Sequence, residues 1–201
     1  MRIFLFILLL PTFSTWGQFP TNKKIDPSDS IVVKTKIENF YRWYGELIKK
    51  GVVSKEFSPL FIETKDGMTG LDFSKYKDHL IKNDFTDIFI TRKINEYKTC
   101  SDNLAKVKYK AFLKFTDLDQ YENIKCAFNN VHEWTSDMEG HDGAELKTLV
   151  SVDKNKLTGT LVLFNLDANG KKFYWDYKRV TVIFLRQNDV WRIDDLKVEL
   201  L

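Results

Sequence analysis

The spacing of apolar residues predicts helices in the first half of the chain and β-strands in the second. Between residues 31 and 50, apolar side chains recur at intervals of three and four, which places them on one face of a long helix. These side chains are Val33, Ile37, Phe40, Tyr44, Leu47 and Ile48. Ser28 or Ser30 can cap this helix at its start, and Gly51 can end it.

Two shorter helices are predicted after the first. One lies within residues 71–83, where three apolar side chains recur at helical spacing. The other begins at Thr86 or Asp87 and continues to about Leu104. In residues 106–115 the pattern fits two structures, because alternating apolar residues suit a strand and adjacent ones suit a short helix.

From residue 145 onward the apolar period changes to two, which is typical of strands. Four strands are predicted, in residues 146–153, 156–167, 171–187 and 190–200. The sequences Lys-Asn, Ala-Asn-Gly and Asn-Asp connect them, and such short turns require antiparallel neighbours. The third strand is long, so we expect a bulge or bend near Lys178 and Arg179.

Helices followed by an antiparallel meander predict an α+β fold, with N-terminal helices packed on a curved four-stranded sheet. The second strand is apolar on both faces, so we expect it to be covered twice or to curve around a cavity. One domain is expected over residues 31–201, because a chain of this size can bury about 70% of its unfolded surface in one core. Residues 18–30 contain two prolines and no periodicity, which indicates a linker.

The start of the chain, MRIFLFILLLPTFSTWGQ, has the layout of a secretory signal peptide. Arg2 precedes an apolar run that is too short to span a bilayer, and small residues precede a cleavage site after Gly17. The signal peptide would therefore be residues 1–17, and the protein would be periplasmic or secreted. No later run approaches the ~18 apolar residues of a membrane span, so we expect no membrane span after cleavage.

Two short motifs resemble the nuclear transport factor 2-like, or cystatin-like, superfamily. They are FYRWY at residues 40–44 and VTVIFLRQNDVWRIDDL at residues 180–196. The sequence is more similar to an exported bacterial family of unknown function with that fold, common in Bacteroidetes. The residues that carry this similarity are Tyr41, Trp43, Tyr44, Trp191, Ile193 and Asp194. The resemblance implies export and a conical pocket between the first helix and the curved sheet, which enzymes of this fold use for proton transfer.

The charge distribution does not favour a nucleic-acid partner. The chain has 31 Lys and Arg against 28 Asp and Glu, and both signs are mixed along its length. Even the lysine-rich segment KVKYKAFLKF, residues 106–115, is followed directly by acidic residues. We therefore expect no nucleic-acid partner. Phosphate-binding loops and serine-hydrolase motifs are also absent from the sequence.

Cys100 and Cys126 are the two cysteines of the chain. If the protein is exported, an oxidising environment favours a disulfide between them. Such a bridge would stabilise the fold by roughly 3 kcal/mol. The alternative is that both are small buried residues that never meet. Neither cysteine lies in a recognisable nucleophile motif, so we favour the disulfide over a catalytic thiol.

The segment HEWTSDMEGHD, residues 132–142, starts like the helix of a zinc protease. Such a site needs two histidines four residues apart, and Ser136 stands four residues after His132. A looser site could use His132, His141 and Asp142, with Glu139 as a further ligand, but the neighbouring turn residues explain a polar segment without any metal. We expect no metal or other cofactor and interpret the segment as a polar contact loop between the helices and the sheet.

Six residues are candidate binding residues: Tyr41, Trp43, Tyr44, His132, Trp134 and Asp176. Tyr41 and Trp43 fall beside the apolar stripe of the first helix, so they could line a pocket or form a contact surface. The alternative is that a wide stripe is simply buried. Asp176 is the main acidic residue on otherwise apolar strand faces.

The sequence contains no carboxylate pair or Asp–His spacing that matches a catalytic pattern, so no catalytic residue is assigned. The leading hypothesis is an exported, non-enzymatic domain that binds a small apolar ligand, an envelope component or an unknown protein. An immunity protein that neutralises a periplasmic toxin is one version of it. The alternative is an enzyme that uses acid–base chemistry in a conical pocket.

Overall fold

A computed structural model of the protein describes residues 25–126 and 132–201. The predicted signal peptide and the beginning of the predicted linker lie outside the described residues. The fold is α+β, as predicted: helices precede an open antiparallel sheet. No helix in the described residues is long and apolar enough to cross a membrane.

The first helix, α1, spans Pro27–Lys49. It begins earlier than predicted, so the last residues of the predicted 18–30 linker are helical. Asp26 is the N-cap, and its side chain accepts a hydrogen bond from the backbone N–H of Ser28 at 2.8 Å. Gly51 follows the helix with a φ of 64°, a conformation that glycine adopts without strain.

Short elements connect α1 to the sheet. They are α2 (Val53–Glu56), β1 (Leu60–Glu63), β2 (Thr69–Asp72), α3 (Ser74–Lys82), α4 (Asp87–Glu96), α5 (Lys98–Leu104), α6 (Tyr109–Phe112) and α7 (Leu118–Asn123). The predicted helix from Thr86 to Leu104 is divided at Tyr97 into α4 and α5. The ambiguous residues 106–115 contain the short helix α6. The hairpin of β1 and β2 was not predicted, because each strand has only four residues.

The sheet has five strands rather than the four predicted. They are β3 (Gly143–Asp153), β4 (Lys156–Leu166), β5 (Lys172–Tyr174), β6 (Lys178–Gln187) and β7 (Val190–Leu200). The order is β3-β4-β6-β7, and β5 pairs with the end of β4. The third predicted strand is two strands, because the chain turns between Tyr174 and Lys178 and buries Trp175. The turn lies next to the predicted bend.

A few backbone groups at each edge of the sheet bond to the helical half of the chain. At β7, the backbone N–H of Thr86 donates to Ile193 O at 2.9 Å, and Ile193 N–H donates to Asp84 O at 2.8 Å. At β3, the Leu146 N–H donates to a side-chain oxygen of Glu38 on α1 at 3.0 Å. Such contacts satisfy backbone groups that would otherwise be open to pairing with another chain.

In the part of the chain that the structure describes, the buried apolar side chains form two separate hydrophobic clusters. In the larger, which we call the main core, α1 packs on the inner face of the sheet. Its fully buried members include Val33, Ile37, Phe40, Tyr41, Leu161, Leu163, Val180, Val182, Phe184 and Ile193. The smaller, which we call the disulfide cluster, consists of Cys100, Leu104, Phe112 and Cys126, with Phe61, Leu71, Val107, Tyr109, Phe115, Tyr121 and Ile124 packed against them. Cys100 and Cys126 form a disulfide, which confirms the prediction.

Candidate functional site

A cavity of about 550 Å³ lies where the main core meets the disulfide cluster. The end of α1 contributes Tyr44 to its wall, and the turn after α2 contributes Phe57. The opposite wall includes the disulfide of Cys100 and Cys126. The volume is in the range that small-molecule sites occupy. We treat this cavity as the candidate functional site.

Aromatic side chains form the wall on the side of the main core. The rings of Phe57 and Trp134 stack with centroids 6.1 Å apart, and Tyr44 meets Phe57 edge-on at 5.8 Å. Phe40 packs edge-on against Trp134 from behind at 6.1 Å. These ring contacts hold the wall together, and they leave Tyr44, Phe57 and Trp134 only 1%, 3% and 4% exposed.

Three ionisable side chains meet beside this wall. The ammonium group of Lys93 on α4 forms ion pairs with Glu96 and with Glu133. The same nitrogen lies 5.5 Å from the centre of the Trp134 ring. The Lys93 side chain is 11% exposed, whereas that of Glu133 keeps 37% of its surface open. Both glutamates line the cavity, so part of the Glu133 surface faces this space.

Burial raises the pKa of the Glu133 carboxyl, and the neighbouring Lys93 opposes this shift. For Lys93, burial disfavours the charged form, but the carboxylates of Glu133 and Glu96 outweigh it and raise its pKa. Lys93 is therefore charged at neutral pH. One lysine is shared by two carboxylates. The three side chains together therefore carry one net negative charge when both acids are ionised.

Two further phenol groups lie close to the carboxylates. Burial raises the pKa of Tyr97 to about 12, and the negative charges of Glu133 and Glu96 add to this effect. Tyr76 is fully buried, and its hydroxyl has no hydrogen-bond partner among the described residues. Tyr76 does not line the cavity, and its hydroxyl is closed off from solvent behind the wall.

Three of the six predicted binding residues meet at this cavity: Tyr44, His132 and Trp134. His132 is half-buried, and its ring meets that of Tyr44 edge-on at 6.4 Å. Burial lowers the pKa of His132, and the nearby Asp137 opposes this shift only in part. His132 is therefore neutral at neutral pH and adds no charge to the cavity.

The other three predicted residues lie elsewhere. Tyr41 is buried behind the wall, where its hydroxyl donates to Trp134 O at 3.0 Å. Trp43 is half-buried between Phe57 and His79, with ring centroids 5.1 Å from each. Asp176 is exposed in the turn between β5 and β6 and does not line the cavity. A strand pattern placed it on a sheet face, but the chain leaves the sheet at that point.

Several residues of the site were not predicted from the sequence: Phe57, Lys93, Glu96, Tyr97 and Glu133. Glu133 follows His132 in the segment that starts like a zinc-protease helix, and in the structure it pairs with Lys93. The segment around it is more buried than a polar contact loop would be, since Thr135 and His141 are fully buried. No group of three or more His, Cys, Asp or Glu in the described chain could hold a metal ion.

Hydrogen bonds and an ion pair connect the rest of the 132–142 segment to neighbouring elements. The ammonium group of the buried Lys178 donates to the carbonyl oxygens of Thr135 and Ser136 at 3.2 and 2.9 Å and pairs with Asp137. The His141 ring nitrogen Nε2 donates to Tyr41 O at 2.9 Å. These bonds fix the position of residues 132–134 at the cavity wall.

Comparison of the chain with models of known families, with curated proteins and with solved structures found no match. The resemblance to nuclear transport factor 2-like proteins therefore stays a prediction. The geometry of the site itself combines a packed aromatic wall with the carboxylates of Glu96 and Glu133.

Proposed function

We propose that the protein is an exported, non-catalytic domain that binds a small ligand in the cavity between the main core and the disulfide cluster. The observation that carries this proposal is the cavity of about 550 Å³, walled by buried aromatic rings on one side and a disulfide on the other. A wall of this kind can remove the apolar part of a ligand from water, while the carboxylates and hydroxyls orient its polar part.

Export and the nuclear transport factor 2-like fold are part of the same proposal. Export is supported by the signal-like residues 1–17 and by the disulfide, which is common in oxidising compartments. The fold assignment is supported by the order of elements, with α1 packed across an antiparallel sheet. N-terminal sequencing of the protein recovered from a periplasmic fraction should begin at Gln18, and an intact Met1 would contradict export by this route.

A fragment titration tests the binding function. Benzylamine, benzyl alcohol and benzoate are matched in size, and protein-observed NMR would report their binding. We expect at least one of them to bind the wild-type protein and to lose binding in Ser58→Trp, because the new ring would occupy the cavity. Asn169→Trp, in the exposed turn between β4 and β5, is the control and should bind like the wild type.

Near-UV circular dichroism would show that both tryptophan variants are folded. If Ser58→Trp bound the fragments as well as the wild type, the cavity would not be the binding site. If none of the three fragments bound to the wild-type protein at millimolar concentration, the binding function would also be contradicted.

An enzyme that uses acid–base chemistry is the second candidate, and the raised pKa of the Glu133 carboxyl is the observation that favours it. The space between α1 and the sheet is filled by the main core, so such chemistry would take place at the cavity instead. Mass spectrometry of a molecule that co-purifies with the protein separates the two functions. A binding domain returns that molecule unchanged after incubation, whereas an enzyme changes its mass.

A further inference from the structure

The outer edge of β7 is open over residues 196–200. The backbone N–H and C=O of Ile193 point away from β6, because they bond to Asp84 and Thr86. Groups on alternate residues of a strand point the same way, and the extra residue Asp194 moves that alternation by one. Three residues therefore direct their backbone groups outward: Leu196, Val198 and Leu200. No described residue outside the sheet bonds to these groups.

The opposite edge of the sheet, formed by β3, is less regular. Register shifts interrupt its pairing with β4 twice within residues 146–153. Bulges of this kind twist an edge strand and limit its pairing with another chain. In contrast, β7 has no register shift within residues 195–200. This part of β7 is therefore the edge that can accept a further strand.

The sequence of this edge is complementary to itself. Residues 196–200 read Leu-Lys-Val-Glu-Leu, and in the reverse direction leucine replaces leucine while glutamate replaces lysine. When two copies pair antiparallel about Val198, each Leu196 lies opposite the partner's Leu200. Each Lys197 then lies opposite the partner's Glu199. The same register brings the outward N–H and C=O groups of the two strands together in hydrogen-bonded pairs.

The charges on this edge favour such pairing. Charged side chains on an edge strand usually prevent pairing with another chain. Lys197 and Glu199 lie on the face of the sheet opposite α1, and they pair with each other at 2.7 Å. In the antiparallel register each of them also faces the opposite charge on the second copy. The four side chains then form a ring in which neighbours have opposite signs, which stabilises the pairing of the strands.

The apolar side chains of the same strand support this register. Leu196 and Val198 are partly buried and pack against the main core. Leu200 lies on the same face of the strand, but it is 74% exposed. Opposite the partner's Leu196, the Leu200 side chain would be next to the main core of the second copy. Pairing of the strands would therefore remove apolar surface from water in both copies.

We propose that the protein forms a symmetric homodimer in which the β7 strands of two copies pair antiparallel about Val198. The two sheets then make one continuous sheet, and the open edge of each copy is closed by the other. The contact is isologous, so the same five residues serve both copies. None of these residues lines the cavity, so the dimer does not depend on the proposed function.

Sedimentation velocity over a range of protein concentrations tests the dimer. We expect the wild-type protein to change from monomer to dimer as its concentration rises. Lys197→Glu makes the four side chains all negative, and Glu199→Lys makes them all positive. Each variant should therefore dimerise at least about tenfold more weakly than the wild type. An equimolar mixture of the two should dimerise again, because every lysine then faces a glutamate.

Two exposed positions away from β7 provide the matched controls. Lys154→Glu, in the turn between β3 and β4, and Glu63→Lys, on β1, change the net charge by the same amounts. Both should dimerise like the wild type, and circular dichroism would show that all four variants are folded. A wild-type protein that stays monomeric at millimolar concentration would overturn the proposal. A mixture of the two β7 variants that dimerises no better than each variant alone would also overturn it.

Amide hydrogen exchange followed by NMR tests whether β7 is the interface. In the dimer the N–H groups of Leu196, Val198 and Leu200 bond to the other copy. Their exchange should therefore slow as the protein concentration rises through the range of dimerisation. The N–H groups of Lys197 and Glu199 face β6 in both states and should change less. A dimer in which the first three groups exchange as fast as in the monomer would have a different interface and would contradict the proposal.

Discussion

The main core and the disulfide cluster are stabilised in different ways. The main core joins a 23-residue helix to strands of 10 and 11 residues, so each element buries a long apolar face. Around the disulfide cluster the helices and strands have only four to seven residues. Helices this short are unstable alone and depend on tertiary contacts. A small cluster supplies few such contacts, and the disulfide adds a covalent constraint.

The cavity is a consequence of this difference. Each cluster packs its own side chains. Tyr44, Phe57 and Trp134 line the cavity on one side, and the disulfide lines it on the other. Ligand sites are common where two packed units meet, because neither one fills the space between them. The comparison therefore predicts that changes in the disulfide cluster affect the cavity more than they affect the sheet.

The largest expected effect is in the main core. Phe40→Ala removes a buried ring that contacts Phe85 and Trp134, so it should lower the free energy of unfolding by about 3–5 kcal/mol. Urea denaturation followed by tryptophan fluorescence would measure this. Phe112→Ala in the disulfide cluster should cost less, and Phe173→Ala, which is 54% exposed, should change stability by less than about 0.5 kcal/mol.

An equal loss of sheet stability in Phe112→Ala and Phe40→Ala would show that the two clusters unfold as one unit. In that case the two clusters would be packed separately but would unfold cooperatively.

The next effect is that of the disulfide. Replacing Cys100 and Cys126 by serine removes a link between residues 26 positions apart, which should cost about 3 kcal/mol. We expect amide hydrogen exchange to accelerate in α5, α6 and α7, while the strands β4 and β6 keep their protection. The reduced wild-type protein should behave like the double variant. Uniform acceleration across the sheet would contradict local stabilisation by the disulfide.

The smallest effect is a pH dependence in the main core. Burial lowers the pKa of His141 to about 4, although its bond to the Tyr41 carbonyl opposes the shift. The folded protein therefore favours neutral His141. The resulting stabilisation of the folded state is complete above pH 6.5, which is the ordinary histidine pKa in the unfolded chain. It is lost as the pH falls from 6.5 to 4. At pH 5 the loss should be about 2 kcal/mol.

An NMR titration of the His141 ring would measure its pKa directly, and urea denaturation at pH 7 and pH 5 would measure the loss. His141→Gln, which keeps a hydrogen-bond donor, should show a smaller difference between the two pH values. A His141 ring that titrates near pH 6.5 would contradict this account of its burial.

The sequence predicted much of the fold because the long elements carry strong local patterns. The apolar stripe of α1 and the period of two from β3 onward follow from which residues must face a core. The turn at Asn188 and Asp189 was also predictable, because both residues adopt the positive φ values that tight hairpins need. The short hairpin of β1 and β2 and the separate strand β5 lack enough residues to show a period.

The candidate site was predicted only in part. Tyr44, His132 and Trp134 were selected for their residue types, and they do meet at one cavity. Lys93 and Glu96 were not selected, since charged residues on an amphipathic helix are usually solvated. Only the packing of α4 against residues 132–134 brings Lys93 to Glu133, where the lysine is almost buried and the glutamate stays partly open.

The sequence by itself therefore determined the α+β class, the apolar face of α1, the antiparallel strands and the pairing of the two cysteines. Each of these features depends on the spacing of residues along the chain or, for the cysteines, on a choice between few partners. The tertiary structure alone decided that the hydrophobic residues form two clusters, that the cavity lies between them, and that one lysine is shared by two carboxylates. Those features depend on contacts between distant parts of the chain, and no local pattern encodes which distant side chains will meet.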